Sequence, residues 1–274
     1  MGPRFLEKVT DLRKHIAKTK KDMKKQKAVW AFQHIQKTAG TSIVEELAVN
    51  SGLNLINIFL EPEDYVNYTH GAYSRIIRQN ADAIRDPSLQ LVTGHLRREN
   101  IDALQEIRPA RIFTFTRDPV ARVVSSYRYQ RSPAHPTYAQ FAKEFPTFLD
   151  YVNHPESQNA VAKAICAKWP FEDLEESLDR FEFIGTAERY ALSFRLMTAF
   201  LAEPRFPVIH SRKTENTADN EVALTKEVRN EILRNNEADT YIHDRVVATL
   251  ERLRPQIGAL ESAAPAPADP AVAV

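Results

Sequence analysis

Phe5, Val9, Leu12, Ile16, Thr19 and Met23 recur at alternating steps of four and three, which sets them on one stripe of a helix over about the first 25 residues. Lysines and arginines cover the rest of that helix. Ala28 to Ile35, AVWAFQHI, opens on five apolar residues and has the length of a buried strand. A glycine-containing turn and a helix from Thr41 to about Asn50 follow. Further strands are predicted over Leu53–Leu60, over Leu89–Thr93 ending in Gly94-His95, over Arg111–Thr116 and over Phe181–Gly185, with a last short one over Pro207–His210. Helices are predicted over 72–86, from Pro119 to about Arg131, through most of 137–180, over Glu188–Leu201, and over about 221–233 and 237–258. Strands alternating with helices predict an α/β fold: a P-loop-type three-layer α/β/α architecture with a mainly parallel central sheet and additional helices.

The 274 residues suit one large domain, and 43% hydrophobic with 27% charged residues is ordinary globular composition. Three segments are expected: a basic amphipathic helical arm over 1–27, one main domain over 28–260, and a disordered Ala/Pro-rich tail over 261–274. Net charge is +1, but ten Lys/Arg against three acids give residues 1–27 a charge of +7 and leave −6 for the remainder. The N-terminal helix is expected to pack on the domain or on a second copy of the chain; a membrane-surface or polyanion-binding arm is the alternative. With so little overall charge, nucleic acid is not an expected partner. The single cysteine, Cys166, excludes an intramolecular disulfide, and no apolar run approaches the ~20 residues that span a bilayer. A soluble cytoplasmic protein is expected, an anchor outside this chain being left open.

Chemistry concentrates in two places. His34-Ile35-Gln36-Lys37-Thr38-Ala39-Gly40-Thr41-Ser42 lies between a predicted strand and a predicted helix, where the first N–H groups of the helix are unpaired and suited to an anion. Gly40 is expected to let the backbone approach that anion, Thr41 and Ser42 to add hydroxyl donors, and Lys37 to add a positive charge. The lysine comes too early for a nucleoside-triphosphatase loop, which needs Lys followed by Ser or Thr at its end. Downstream, Thr114-Phe115-Thr116-Arg117-Asp118-Pro119 ends a strand, and Ser125 lies two helical turns beyond Arg117. Arg117 can fork onto two phosphate oxygens.

HIQKTAGTS followed by RDPVARVVSSY resembles the carbohydrate sulfotransferase superfamily, especially the heparan sulfate 2-O/6-O-sulfotransferases and bacterial-type sulfotransferases of family 2. The resemblance covers residues from about 28 to about 255. It implies 3′-phosphoadenosine 5′-phosphosulfate (PAPS) as co-substrate, adenosine 3′,5′-bisphosphate as product, and no metal. It assigns Lys37, Thr38, Ala39, Gly40, Thr41 and Ser42 to the 5′-phosphosulfate, Arg117 and Ser125 to the 3′-phosphate, and Lys213, in a late basic loop, to closure over the nucleotide. His95 matches the proposed base, and Lys37 would stabilise charge on the leaving oxygen. The 2-O enzymes have a second histidine two residues earlier, where this chain has Thr93. Gln158-Asn159 matches a substrate segment of relatives without its arginine. Arg97 and Arg98, with Arg128 and Arg131, flank the site and are candidates to grip an acidic sugar. The implied function is sulfuryl transfer to a hydroxyl, a carbohydrate one ahead of a lipid or small metabolite. An ATP-using P-loop kinase and a non-catalytic nucleotide-binding protein are the competing classes.

Overall fold

The structure is a computed structural model that describes residues 9, 11–58, 71–133, 135–168, 170–201, 204–208, 217 and 220–261. Strands β1 (Val29–Gln33), β2 (Leu55–Ile58), β3 (Leu91–Gly94), β4 (Ala110–Thr116) and β5 (Phe181–Thr186) form one sheet in the order β2-β3-β1-β4-β5. Every pair is parallel: Phe32 of β1 lies opposite Thr93 of β3 on one side and Phe113 of β4 on the other. All residues of β1 and β5 are buried, as expected of a sheet covered on both faces.

Thirteen α-helices lie among the described residues: α1 (Leu12–Gln26), α2 (Gly40–Glu45, running into a π turn over Glu46–Asn50), α3 (Gly71–Gln79), α4 (Ala81–Arg85), α5 (Arg98–Ile107), α6 (Pro119–Gln130), α7 (Tyr138–Glu144), α8 (Phe148–Asn153), α9 (Ala160–Ile165), α10 (Leu174–Leu178), α11 (Tyr190–Leu201), α12 (Lys226–Asn235) and α13 (Glu237–Glu261). With the sheet they make a three-layer α/β/α fold. The main core joins the sheet to α1 (Leu12, Ile16), α2 (Ile43), α11 (Phe194, Phe200) and α13 (Ile242, Val246, Leu250). A second, aromatic cluster of Tyr127, Phe141, Phe145, Phe148 and Tyr151 unites α6, α7, α8 and α12. The apolar stripe of α1 is thus buried within this chain. The one hydroxyl on that stripe is satisfied, with Thr19 Oγ1 donating to the buried Glu182 of β5.

Local chemistry explains where the elements begin. Asp118 accepts the Ala121 N–H at 2.8 Å and Pro119 takes the first helical position, which starts α6 where the sequence predicts. The predicted helix over 221–233 begins only at Lys226, because Thr225 accepts from the Val228 N–H and acts as its N-cap. Helix α5 has no predicted counterpart. Its N-cap is Arg97, an unusual residue there, and Asn100 Oδ1 accepts the Arg97 N–H at 2.7 Å. The short strand expected over Pro207–His210 is not formed at Pro207 and Val208, which lie in no strand; the Val208 N–H donates instead to Glu46. The rest of that segment, Lys213 and the Ala/Pro tail from Ser262 fall outside the described residues. No helix among the described residues is long and apolar enough to cross a membrane.

Candidate active site

The two sequence motifs meet at the carboxyl ends of β1, β3 and β4, the edge where open parallel sheets carry their ligands. The loop over 34–39 leaves β1 and turns sharply into α2, with Lys37 (φ 65°) and Ala39 (φ 70°) both in the left-handed region. Thr38 is fully buried, and its hydroxyl donates to the Ile35 carbonyl at 2.8 Å, so it pins the turn. Ala39 is the N-cap of α2 and offers no side-chain bond to the first N–H groups of the helix, at Gly40, Thr41 and Ser42. No capping side chain from Ala39 competes with an anion there. Thr41 is exposed and Ser42 buried.

Gly40 has a further role that the sequence did not suggest. It is not in the left-handed region; a Cβ there would lie 1.8 Å from Cδ2 of His34. The glycine makes room for an imidazole. His34 stacks on Phe32 (centroids 5.7 Å apart, 6° between planes) and lies 4.2 Å from the ring of His95. Burial, then the charges of His95 and Lys37, hold His34 well below the usual histidine range, so it is neutral.

His95 follows β3, and its Nδ1 lies 2.9 Å from the His34 carbonyl oxygen. A carbonyl only accepts, so Nδ1 carries the proton and Nε2 holds the lone pair. Burial lowers the proton affinity of His95, with the bond to His34 opposing it. The imidazole is therefore a neutral base with its basic nitrogen defined.

Burial and then the Arg117 guanidinium bring the Lys37 ammonium down to about 8. Its Nζ sits 4.1 Å from the centroid of the Tyr129 ring. Arg117 Nη1 donates to the Lys37 carbonyl at 3.2 Å, so residues 80 apart in sequence join at one point. Glu188, just past β5, organises this corner: it lies 3.9 Å from Arg117 Nε, accepts the Asp118 N–H at 3.1 Å and accepts from the Thr186 hydroxyl. Ser125 is half-buried on α6, one turn before Tyr129 on the same face.

The flanking basic residues divide. Arg98 does not suit a grip on substrate: its guanidinium is held by Asp102 (3.3 Å), Asp173 (3.5 Å) and Ser177 (3.2 Å). Arg97 is placed by the N-terminus of α5, two residues beyond His95, and is half-buried there. Arg131 reaches the Ala142 carbonyl at 3.4 Å, and Arg128 is half-buried on α6. Asn159 is structural, since its Oδ1 accepts the N–H groups of Ala238 and Asp239 and so caps α13. Tyr129 and His135 are the residues of this corner that sequence reasoning does not reach. The four-residue step from Ser125 to Tyr129 was a usable signal, whereas His135 reaches the site through a loop that no periodicity marks.

A family model described as "Sulfotransferase family" matches residues 22–249, most of the chain. The chain belongs to that family. As a sulfotransferase it is an enzyme that moves sulfo groups. No curated protein matches the sequence. The sulfotransferase match takes in both motifs, His95, and the last turn of α1 through the first half of α13.

Proposed function

We propose that this sulfotransferase moves the sulfuryl group of PAPS to a hydroxyl of an acceptor, a carbohydrate ahead of a lipid or small metabolite. The observation that carries this is the meeting of Lys37, Arg117 and a tautomer-defined His95 at one sheet edge. A nucleotide with anionic groups at both its 3′ and 5′ positions needs two cationic points held apart by the protein, and a hydroxyl acceptor needs a neutral base. The first N–H groups of α2, at Gly40, Thr41 and Ser42, with Lys37, suit the 5′-phosphosulfate. Arg117 and Ser125 suit the 3′-phosphate. Arg97 stays a candidate for the acceptor side, and Lys213 for closure over the nucleotide.

In the transfer, a bond forms between the acceptor oxygen and sulfur while the bond from sulfur to the 5′-phosphate oxygen breaks. His95 Nε2 takes the hydroxyl proton. The Lys37 ammonium balances the charge left on the departing phosphate oxygen, and adenosine 3′,5′-bisphosphate is released. The positioning needed for an in-line displacement comes from the rigid strand ends.

Thermal unfolding with adenosine 3′,5′-bisphosphate against ATP and Mg²⁺ tests the donor. At 100 times its Kd a ligand adds ~2.7 kcal/mol to stability. The bisphosphate is expected to raise Tm and ATP to leave it near the unliganded value. Stabilisation by ATP alone would favour the kinase class. An acceptor screen with labelled PAPS then separates carbohydrate from lipid and small-molecule hydroxyls.

A further inference from the structure

We propose that Tyr129 is the positioning residue of Lys37, its ring face holding the ammonium in place for sulfuryl transfer where other lysines would be held by a carboxylate. This rests on the sulfotransfer reading of the site.

A lysine has four rotatable bonds, and a catalytic one needs an anchor. A carboxylate would anchor it by cancelling its charge, and would repel a donor that carries several negative charges. An aromatic face attracts the ammonium through its quadrupole and adds no net charge. Lys37 Nζ lies 4.1 Å from the Tyr129 centroid, within the range of such a contact. Burial and Arg117 both lower Lys37, and among the described residues no acid shifts it.

The ring is itself held. Tyr129 is in the last turn of α6, and its carbonyl accepts from Ser132 N–H (3.1 Å) and Oγ (2.7 Å), which turns the chain back on itself. His135 then meets Tyr129 edge to face, with centroids 4.9 Å apart and planes at 89°. The Thr137 N–H donates to His135 Nδ1 at 3.3 Å, so the ring proton is on Nε2. Burial and then the Lys37 charge lower the proton affinity of His135, which keeps a second cation away from the ammonium. Tyr129 also lies one helical turn past Ser125, so the segment expected to hold the 3′-phosphate also carries the anchor of Lys37.

The test uses the full chain. Lysine carrying ¹³C reports the Lys37 side chain by NMR, assigned with Lys37→Arg. A ring-current shift is expected in the wild type and in Tyr129→Phe and is lost in Tyr129→Leu. Turnover is followed as consumption of ³⁵S-labelled PAPS, with a p-nitrophenyl glycoside as acceptor or, where that is not used, with water. Tyr129→Leu is expected to lower kcat about tenfold while the Kd for adenosine 3′,5′-bisphosphate stays within about threefold. Tyr129→Phe, which keeps the ring, rescues kcat. In a Lys37→Ala background, Tyr129→Leu adds no further loss. Equal kcat in the Leu and Phe variants, losses that multiply with Lys37→Ala, or an absent ring-current shift would each overturn the proposal. If the wild type neither binds the bisphosphate nor consumes PAPS, the functional reading fails instead; the shift still decides whether Tyr129 holds Lys37.

Discussion

His95 and Lys37 have to be in opposite protonation states for the proposed chemistry, and their surroundings move both in directions that set the working pH. Burial lowers His95, so its basic form persists below the ordinary histidine range. Lys37 is lowered to about 8, so its ammonium is lost as pH rises through that value. The pH profile of kcat/KM for PAPS is therefore expected to be a bell, with its acid limb below 6.5 and its basic limb near 8. In Arg117→Gln the basic limb moves upward, because a cation that depressed Lys37 is gone; a limb that stays put would remove Lys37 from that role. The His34–Gly40 contact makes a second prediction. Gly40→Ala is expected to cost ~1–3 kcal/mol through overpacking, read as a lower Tm. The loss shrinks in a His34→Ala background, and strictly additive losses would show that the imidazole is not what the glycine accommodates. Lys37, Arg117 and His95 were legible in the sequence because each sits next to a strand end or turn with a distinctive spacing. His135 was not, because a contact made by a loop doubling back leaves no period to read; Tyr129 carried only its four-residue step from Ser125, which by itself does not mark a contact with Lys37.

At the scale of elements, one buried ion pair connects the helices around the site. Arg122 on α6 reaches Asp239 on α13 (3.5 Å), the Ser157 carbonyl (2.7 Å) and Asn236 (3.1 Å), and Asp239 in turn accepts the N–H groups of Val161 and Ala162 at the start of α9. Both side chains are almost fully buried. Arg122→Ala is expected to cost ~3–5 kcal/mol, since it leaves a buried carboxylate without its partner. Urea unfolding measures this; a loss under ~1 kcal/mol would mean that the network holds nothing together. Element boundaries were legible where capping residues stood in the sequence, as at Asp118-Pro119. They are obscured at Thr225, a cap that lies inside a stretch with helical periodicity. Helix α5 was missed because its cap is an arginine.

Over the whole molecule, the alternation of strands and helices fixed the class of fold, but the strand order did not follow from it. Pairing β1 with both β3 and β4 is a non-local choice made by the packed core. The helix α1 belongs to that core: Leu12 is fully buried against it. Leu12→Ala is thus expected to lower stability by ~2–5 kcal/mol in thermal or urea unfolding, and a cost near zero would mark α1 as a detachable arm. The parallel register of β1 and β3 also brings the carbonyl of residue 34 to the imidazole of residue 95. Since that oxygen is main chain, any amino acid at position 34 supplies it. Which ring nitrogen keeps its lone pair is inherited with strand alignment, and only a slip of one strand past the other would erase it.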